Sequence, residues 1–112
     1  MKSIIKIKEN YQFRAAYKKG KTIVLPCAVV YVNKNRFHNV RLGITAGKKI
    51  GNAVKRNRAK RVITAAFRSC LPRIKEGYDF VIVARLRVLS VKSQFVAESF
   101  NKAFISAGII DE

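Results

Sequence analysis

One short basic segment holds the side chains best able to bind an anion. Residues 48–61, KKIGNAVKRNRAKR, contain seven Lys or Arg side chains and no Asp or Glu. Positive charge this dense repels itself in a folded protein, and an anionic polymer can neutralise it. The surrounding chain agrees, because residues 10–75 carry 17 Lys or Arg and no carboxylate. The segment therefore predicts a surface for a polyphosphate such as a nucleic acid.

A helix must position most of these cations. Asn52 is a favourable N-cap for a helix from Ala53 to about Leu71, and Pro72 helps to end it. At 100° per residue, one arc of this helix is apolar and is expected to pack in the core. The residues of that arc are Ala59, Val62, Ile63, Ala66, Phe67 and Cys70.

The polar side of this helix is unlike an ordinary solvated surface. Arg58, Arg61 and Arg68 are expected to cluster there, and no acidic residue lies four positions away to pair with them. Lys55 and Arg56 lie in the first turn, where positive charge opposes the helix dipole by roughly 0.3–1 kcal/mol per residue. A phosphate would reverse that penalty and would also accept hydrogen bonds from the free N–H groups of the first turn.

The remaining sequence predicts a single α+β domain over residues 1–112. A first helix is expected at residues 9–19 and a last helix up to about Ala107, with strands at residues 22–25, 27–32, 40–45 and 78–85. The order α-β-β-β-α-β-α is typical of a two-layer sandwich of helices on a sheet. Gly43 interrupts the third strand and is expected to admit the close approach of another backbone.

Composition excludes several classes of protein. The formal net charge of +18 favours an acidic partner. No apolar run approaches membrane-spanning length, and the N-terminus is too short and too charged for a secretory signal, so we expect a cytoplasmic protein without a membrane partner. Cys27 and Cys70 lack CxxC spacing and are expected to be small buried thiols.

The residues do not form an evident hydrolytic site. His38 is the only histidine and lies in a polar turn, and no Ser-His-acid triad or Gly-rich phosphate loop is evident. The carboxylates contain no DxD pair that would hold two metal ions; they are Glu9, Glu76, Asp79, Glu98, Asp111 and Glu112. We expect no catalytic residue and no metal site on the protein. Phosphodiester cleavage would need Mg²⁺ held elsewhere, for example by an RNA.

At these same residues the chain resembles the protein subunit of bacterial ribonuclease P. GIT at residues 43–45, KKIGNAV at 48–54, RNR at 56–58 and KR at 60–61 resemble the family's RNR signature with its preceding strand and loop. FRAAYKKG at 13–20 is similar to the family's first helix, and YDFVIVAR at 78–85 is similar to a later strand. The departures are minor: Tyr17 replaces a commoner Phe, and TAG at 45–47 replaces a Ser-Val-Ser-like stretch.

The resemblance implies a fold and a division of labour. The family packs a four-stranded sheet against helices, with a left-handed βαβ crossover through the basic helix, as in the second domain of ribosomal protein S5. Sterics alone would favour a right-handed crossover. In the family a large RNA, which would hold the Mg²⁺, removes the 5′ leader of precursor tRNA by endonucleolytic hydrolysis. The protein binds that RNA and the single-stranded leader, and DNA is not an expected partner.

Two sets of binding residues follow from the resemblance and from side-chain chemistry. The residues expected to bind the catalytic RNA are Lys48, Lys49, Asn52, Lys55, Arg56, Asn57, Arg58, Lys60, Arg61 and Arg68. Those expected to bind the 5′ leader, by stacking on unpaired bases, are Phe13, Tyr17 and Tyr31. Core packing is the alternative for each aromatic, and for Phe13 both alternatives stay open. The aromatics expected in the core are Phe67, Phe80, Phe95, Phe100 and Phe104.

The same composition would suit proteins of two other functional classes. A structural protein that folds ribosomal RNA would carry similar charge, and only the RNR signature and the aromatic first helix favour the ribonuclease P subunit over it. A duplex DNA binder that inserts the basic helix is disfavoured, because no second helix precedes it at the spacing of a helix-turn-helix.

Overall fold

A mixed sheet forms the centre of the fold. In the computed structural model, which describes residues 3–110, the sheet order is β1-β4-β5-β3-β2. The strands are Ile4–Lys6 (β1), Lys21–Val24 (β2), Ala28–Lys34 (β3), Val40–Thr45 (β4) and Tyr78–Ala84 (β5). β4 runs parallel to both β1 and β5, whereas β3 is antiparallel to β2 and β5. The carboxylates of Asp111 and Glu112, considered above, lie outside the described residues.

Three α-helices complete the predicted order of elements. They are Asn10–Lys19 (α1), Ala53–Cys70 (α2) and Ser93–Ser106 (α3), and short 3-10 turns occur at Lys48–Ile50, Leu71–Arg73 and Leu86–Ser90. The α+β class is confirmed. β4 and β5 are parallel neighbours joined through α2, which is a βαβ crossover. No helix within residues 3–110 is long and apolar enough to cross a membrane.

The expected count of four strands was one too few. β1 adds a fifth strand, pairing Ile4, Ile5 and Lys6 with the start of β4. A strand of three residues ending in a lysine has too short an alternation to stand out in a sequence. It forms because β4 offers an open edge that needs backbone partners.

The main core lies between the sheet and the pair α2 and α3. Phe67 on α2, Phe80 on β5 and Phe104 on α3 are fully buried, and the Phe67 ring centroid is 5.1 Å from that of Phe80 and 6.3 Å from that of Phe104. The predicted apolar arc of α2 is buried except Val62, which is half-buried. Phe95 was wrongly expected in the core and is 42% exposed. It lies one residue before the buried α3 stripe of Val96, Phe100 and Phe104, so it points about 100° away.

α1 covers the opposite face of the sheet. Side chains alternate along β5, so Phe80 and Ile82 join the main core while Val81 joins a small second cluster with Ile7 and Ala16. Phe13 and Tyr31 pack against this second cluster. The two-layer description therefore applies to α2 and α3 on the sheet, and α1 adds a third layer.

Gly43 allows α1 to pack closely against the sheet. A Cβ on Gly43 would lie 2.7 Å from Cε1 and 2.9 Å from Cζ of Phe13, closer than atoms in contact allow. The close approach predicted at this glycine is therefore real, but the group that approaches is an aromatic ring and not a backbone.

We expect Gly43→Ala to lower the free energy of unfolding by about 1–3 kcal/mol, the usual cost of overpacking. The added methyl group would push the Phe13 ring and α1 away from the sheet. Urea denaturation followed by circular dichroism measures the effect. Gly47→Ala is the matched control, because nothing lies within 4 Å of a Cβ at Gly47. Equal stability of the two variants would contradict this account of Gly43.

Both cysteines are buried free thiols, as predicted. Burial raises the pKa of Cys27 and of Cys70, so both stay protonated near neutral pH. Cys70 also lies within sulfur hydrogen-bond distance of the Ala97 carbonyl, at 3.7 Å, which ties α2 to α3. Both side chains pack in the main core.

Candidate nucleic-acid interface

The loop before α2 and the first turn of α2 form one braced unit. Asn52 caps the helix, since its Oδ1 accepts a hydrogen bond of 3.0 Å from the Lys55 backbone N–H. The Nε–H of Arg56 donates to the Gly51 carbonyl at 2.9 Å. Gly51 has a φ of +132°, which favours glycine, and the buried Ile50 anchors the loop to the core. The cations of this segment therefore project from a fixed backbone.

The predicted catalytic-RNA-binding residues all lie on this loop and on α2. Arg56 is half-buried and the others are exposed, namely Lys48, Lys49, Asn52, Lys55, Asn57, Arg58, Lys60, Arg61 and Arg68. Within residues 3–110 the recorded ion pair is that of Arg41 with Asp79, so no carboxylate of this part of the chain neutralises α2. By helix geometry, the N–H groups of Ala53 and Val54 have no acceptor within the helix. The helix start can thus offer both charge and hydrogen-bond donors to a phosphate.

Basic side chains cover both flanks of α2. Arg68 and Lys60 line a hollow of about 410 Å³ whose other wall includes Ile4 of β1 and Ile44 of β4. Arg58 and Arg61 lie on the other flank, beside residues 91–94 ahead of and entering α3. Arg61 and Arg68 are seven residues apart and so lie within about 20° of each other around α2, which places them with Arg58 on the exposed side of the helix, between the two hollows. A polyanion could contact this helix over a wide arc.

The predicted leader-binding aromatics lie on the α1 face of the sheet, away from α2. The rings of Tyr17 and Tyr31 meet edge to face with centroids 4.9 Å apart, and Tyr17 is 42% exposed. Phe13 is half-buried against the second cluster. Val29 and Val83, paired on β3 and β5, alternate onto the same face and are only half-buried. Beside α1 there is thus a partly open, apolar strip of sheet with two phenol rings at its margin.

A second cationic hollow, at the other end of the sheet, was not predicted. It has a volume of about 600 Å³ and is lined by Tyr11, Lys19, Lys34, Asn35, Arg36, Phe37, Arg41 and Asp79. Asp79 accepts hydrogen bonds from Arg41 Nε at 2.6 Å and from Asn35 Nδ2 at 2.8 Å. The hydrogen bond to Asp79 raises the pKa of the Arg41 guanidinium, and both bonds occupy the carboxylate. An aromatic residue inside the polar turn at residues 33–39 is the signal that could have revealed this hollow.

The described surface is rich in groups that can bind phosphates and bases. Within residues 3–110 no three His, Cys, Asp or Glu side chains gather in a way that could hold a metal ion. Glu76 and Asp79 are three residues apart, but the Asp79 carboxylate is engaged by Arg41 and Asn35. His38 lies exposed in its turn with a φ of +51°. Cations, amides and aromatic rings are what the surface presents.

Comparison with known proteins identifies the family of the chain. Residues 1–108 match the family model described as Ribonuclease P. The "Ribonuclease P protein component" of Clostridium beijerinckii is 39% identical over 109 residues, covering 91% of this chain and 86% of the relative. That of Symbiobacterium thermophilum is 34% identical over 111 residues, covering 98% and 96%.

Solved structures give the same result. The RNase P protein of Staphylococcus aureus superposes with a TM-score of 0.81 at 32% identity, covering 95% of this chain and 97% of that protein. The RNase P protein of Thermotoga maritima superposes with a TM-score of 0.76 at 29% identity, covering 88% and 94%. Sequence and fold thus agree over nearly the whole chain, and the chain belongs to the ribonuclease P protein family.

Proposed function

We propose that this chain binds the catalytic RNA of ribonuclease P through α2 and its preceding loop, and the 5′ leader of precursor tRNA on the α1 face of the sheet. Membership of the family makes it a protein component of an endoribonuclease that processes tRNA. The observation that carries the finer assignment is the braced, cationic start of α2, which no carboxylate of residues 3–110 neutralises. Its partners would be ribonuclease P RNA and precursor tRNA, in the cytoplasm.

Hydrolysis would belong to the RNA, and the protein would act through electrostatics. Catalytic RNA and precursor tRNA are both polyanions and repel each other. The cations of this chain reduce that repulsion, so the assembled particle needs less Mg²⁺. The described residues provide no cluster for a metal ion, so the Mg²⁺ would be held mainly by the RNA. The protein raises affinity for substrate and contributes no catalytic residue.

The leader would be bound without regard to its sequence. Tyr17 and Tyr31 present ring surfaces beside a half-open strip of sheet, and bases stack on such rings whatever their identity. Phe13 contributes to the leader site indirectly. It packs over Gly43 and so holds α1 on the sheet, which keeps Tyr17 in contact with Tyr31. Separate faces for the RNA subunit and for the leader allow both polyanions to be held at once.

Tyr31→Ala tests the leader site separately from assembly. We expect this variant to weaken binding of precursor tRNA to the assembled particle by about tenfold, because one base–aromatic stack is worth roughly 1–3 kcal/mol. Binding of the protein to ribonuclease P RNA should stay unchanged. Fluorescence titration with labelled precursor tRNA, and separately with labelled ribonuclease P RNA, measures the two equilibria.

Phe95→Ala is the control for the loss of an aromatic ring. Phe95 is as exposed as Tyr17, but it lies on α3, outside both proposed sites. Loss of assembly in Tyr31→Ala with intact folding would show that the two RNA-binding faces are assigned in reverse.

A further inference from the structure

The second cationic hollow presents two large aromatic rings that stay mostly exposed in the fold. Tyr11 is 69% exposed and Phe37 is 64% exposed, and both line the hollow. An exposed large ring loses the benefit of burial, so two of them in one hollow indicate a surface that is covered by a partner. We call this surface, formed by Tyr11, Lys19, Lys34, Arg36 and Phe37, the distal platform.

The turn that carries Phe37 is held rigidly in place. Asn35 Oδ1 accepts a hydrogen bond from the Phe37 N–H at 3.0 Å, while Asn35 Nδ2 donates to Asn39 Oδ1 at 3.2 Å and to Asp79 Oδ1 at 2.8 Å. His38, next to the ring, has a left-handed φ of +51°, which is uncommon outside glycine and costs free energy. A braced turn with local strain, ending in an exposed ring, is preorganised for contact.

Charge decides which kind of partner fits the distal platform. Asp79 is the carboxylate of the hollow and is neutralised by Arg41, whose guanidinium also lies 5.4 Å from the centroid of the Phe37 ring. Lys19, Lys34 and Arg36 then remain as uncompensated cations around the two rings. Cations beside exposed aromatic rings match unpaired nucleotides, whose phosphates pair with the cations while the bases stack.

The position of the platform selects between the two RNAs. Arg41 and Asp79 alternate with Leu42 and Phe80 of the main core, so they belong to the α1 face of the sheet. α1 crosses this face over Gly43, Val81 and Tyr31; the half-open strip with Val29 and Val83 lies on one side of it, and the platform, beside Arg41 and Asp79, lies on the other. α2, proposed to bind the RNA subunit, lies on the opposite face.

We propose that the distal platform binds unpaired nucleotides of the 5′ leader upstream of those held at Tyr17 and Tyr31. This inference rests on the proposed function, because it extends the same leader along the same face of the sheet. Binding at the platform would make the affinity of the assembled particle for precursor tRNA depend on leader length, because only a leader long enough to pass α1 gains the contacts with Tyr11 and Phe37.

The test compares Phe37→Ala with wild type in the assembled particle, using two precursor tRNAs that differ only in extra unpaired upstream nucleotides. We expect about tenfold weaker binding of the long-leader precursor, in line with the loss of one base stack, and unchanged binding of the short-leader precursor. Phe37→Leu keeps apolar bulk without the aromatic face and should behave like Phe37→Ala, whereas Phe37→Trp should bind as tightly as wild type. Phe95→Ala is the matched control on the opposite face, and thermal melts establish that each variant is folded.

Four results would overturn the inference. Wild-type affinity of Phe37→Ala for both precursors would mean that the platform does not bind the leader. Equal weakening for both precursors, or weakened binding to ribonuclease P RNA, would assign the platform to another part of the RNA. Full affinity in Phe37→Leu would mean that bulk and not stacking matters. If wild type itself bound neither precursor more tightly than the RNA alone does, the proposed function would fail instead.

Discussion

Replacing Arg56 and Arg58 together by alanine is expected to weaken binding to ribonuclease P RNA by about a hundredfold or more. A hydrogen bond to a charged group is worth roughly 1.5–3 kcal/mol, and two such contacts with phosphate would be lost. Each phosphate contact also releases counterions, so the slope of log K against log salt should become shallower by about one for each arginine removed. Filter binding or fluorescence titration over a salt series measures both quantities.

Two further variants separate charge at this site from charge in general. Arg73→Ala with Arg87→Ala removes the same charge from exposed positions away from the start of α2, and should change the affinity much less. Arg56 also donates a hydrogen bond to the Gly51 carbonyl, so removing Arg56 loosens the loop as well as removing a charge. Arg58→Ala alone removes a charge without disturbing this hydrogen bond, and therefore reports the effect of charge by itself. An unchanged salt slope in the Arg56 and Arg58 double variant would contradict the binding of phosphate by these two arginines.

Phe67→Ala is expected to cost about 3–5 kcal/mol of the free energy of unfolding, the range for removing a buried aromatic side chain. Phe67 is fully buried and links α2 to both the sheet and α3 through the rings of Phe80 and Phe104. The total stability of a small domain is of similar size, so the variant should be largely unfolded at low salt and should lose RNA binding with it. Urea denaturation with and without sulfate measures the loss.

Val54→Ala is the control on the same helix, since Val54 is 72% exposed and its truncation should change stability by no more than about 0.5 kcal/mol. Comparable stability of Phe67→Ala and Val54→Ala would show that the three-ring cluster does not hold α2 on the sheet.

The helical periodicity of α2 made its buried and exposed sides, and so most of the proposed RNA-binding surface, predictable. A wheel needs only local geometry, and it placed Ala59, Ile63, Ala66 and Phe67 in the core as observed. It was less informative at helix ends and edges. Phe95 differs from its buried neighbour Val96 by a single step around α3, and only the packing of that helix decides which of the two is inside.

Other features depend on contacts between distant parts of the chain and were not predictable from local patterns. Arg41 and Asp79 are 38 residues apart and meet only because β4 and β5 pair in parallel. The packing of α1 over Gly43 brings Tyr11 to the same hollow as Phe37 of the turn. β1 likewise exists because β4 has a free edge. The basic segment, in contrast, is contiguous in sequence, and for that reason its place on the loop and on α2 could be anticipated.

The most direct test of the central claim is cleavage of a precursor tRNA by a bacterial ribonuclease P RNA at low Mg²⁺, with and without this protein. The account predicts strong stimulation by the protein, with a product cut at the mature 5′ end, and loss of that stimulation in the Arg56 and Arg58 double variant. An absence of stimulation while the protein still binds RNA would contradict the account and favour a structural role on ribosomal RNA.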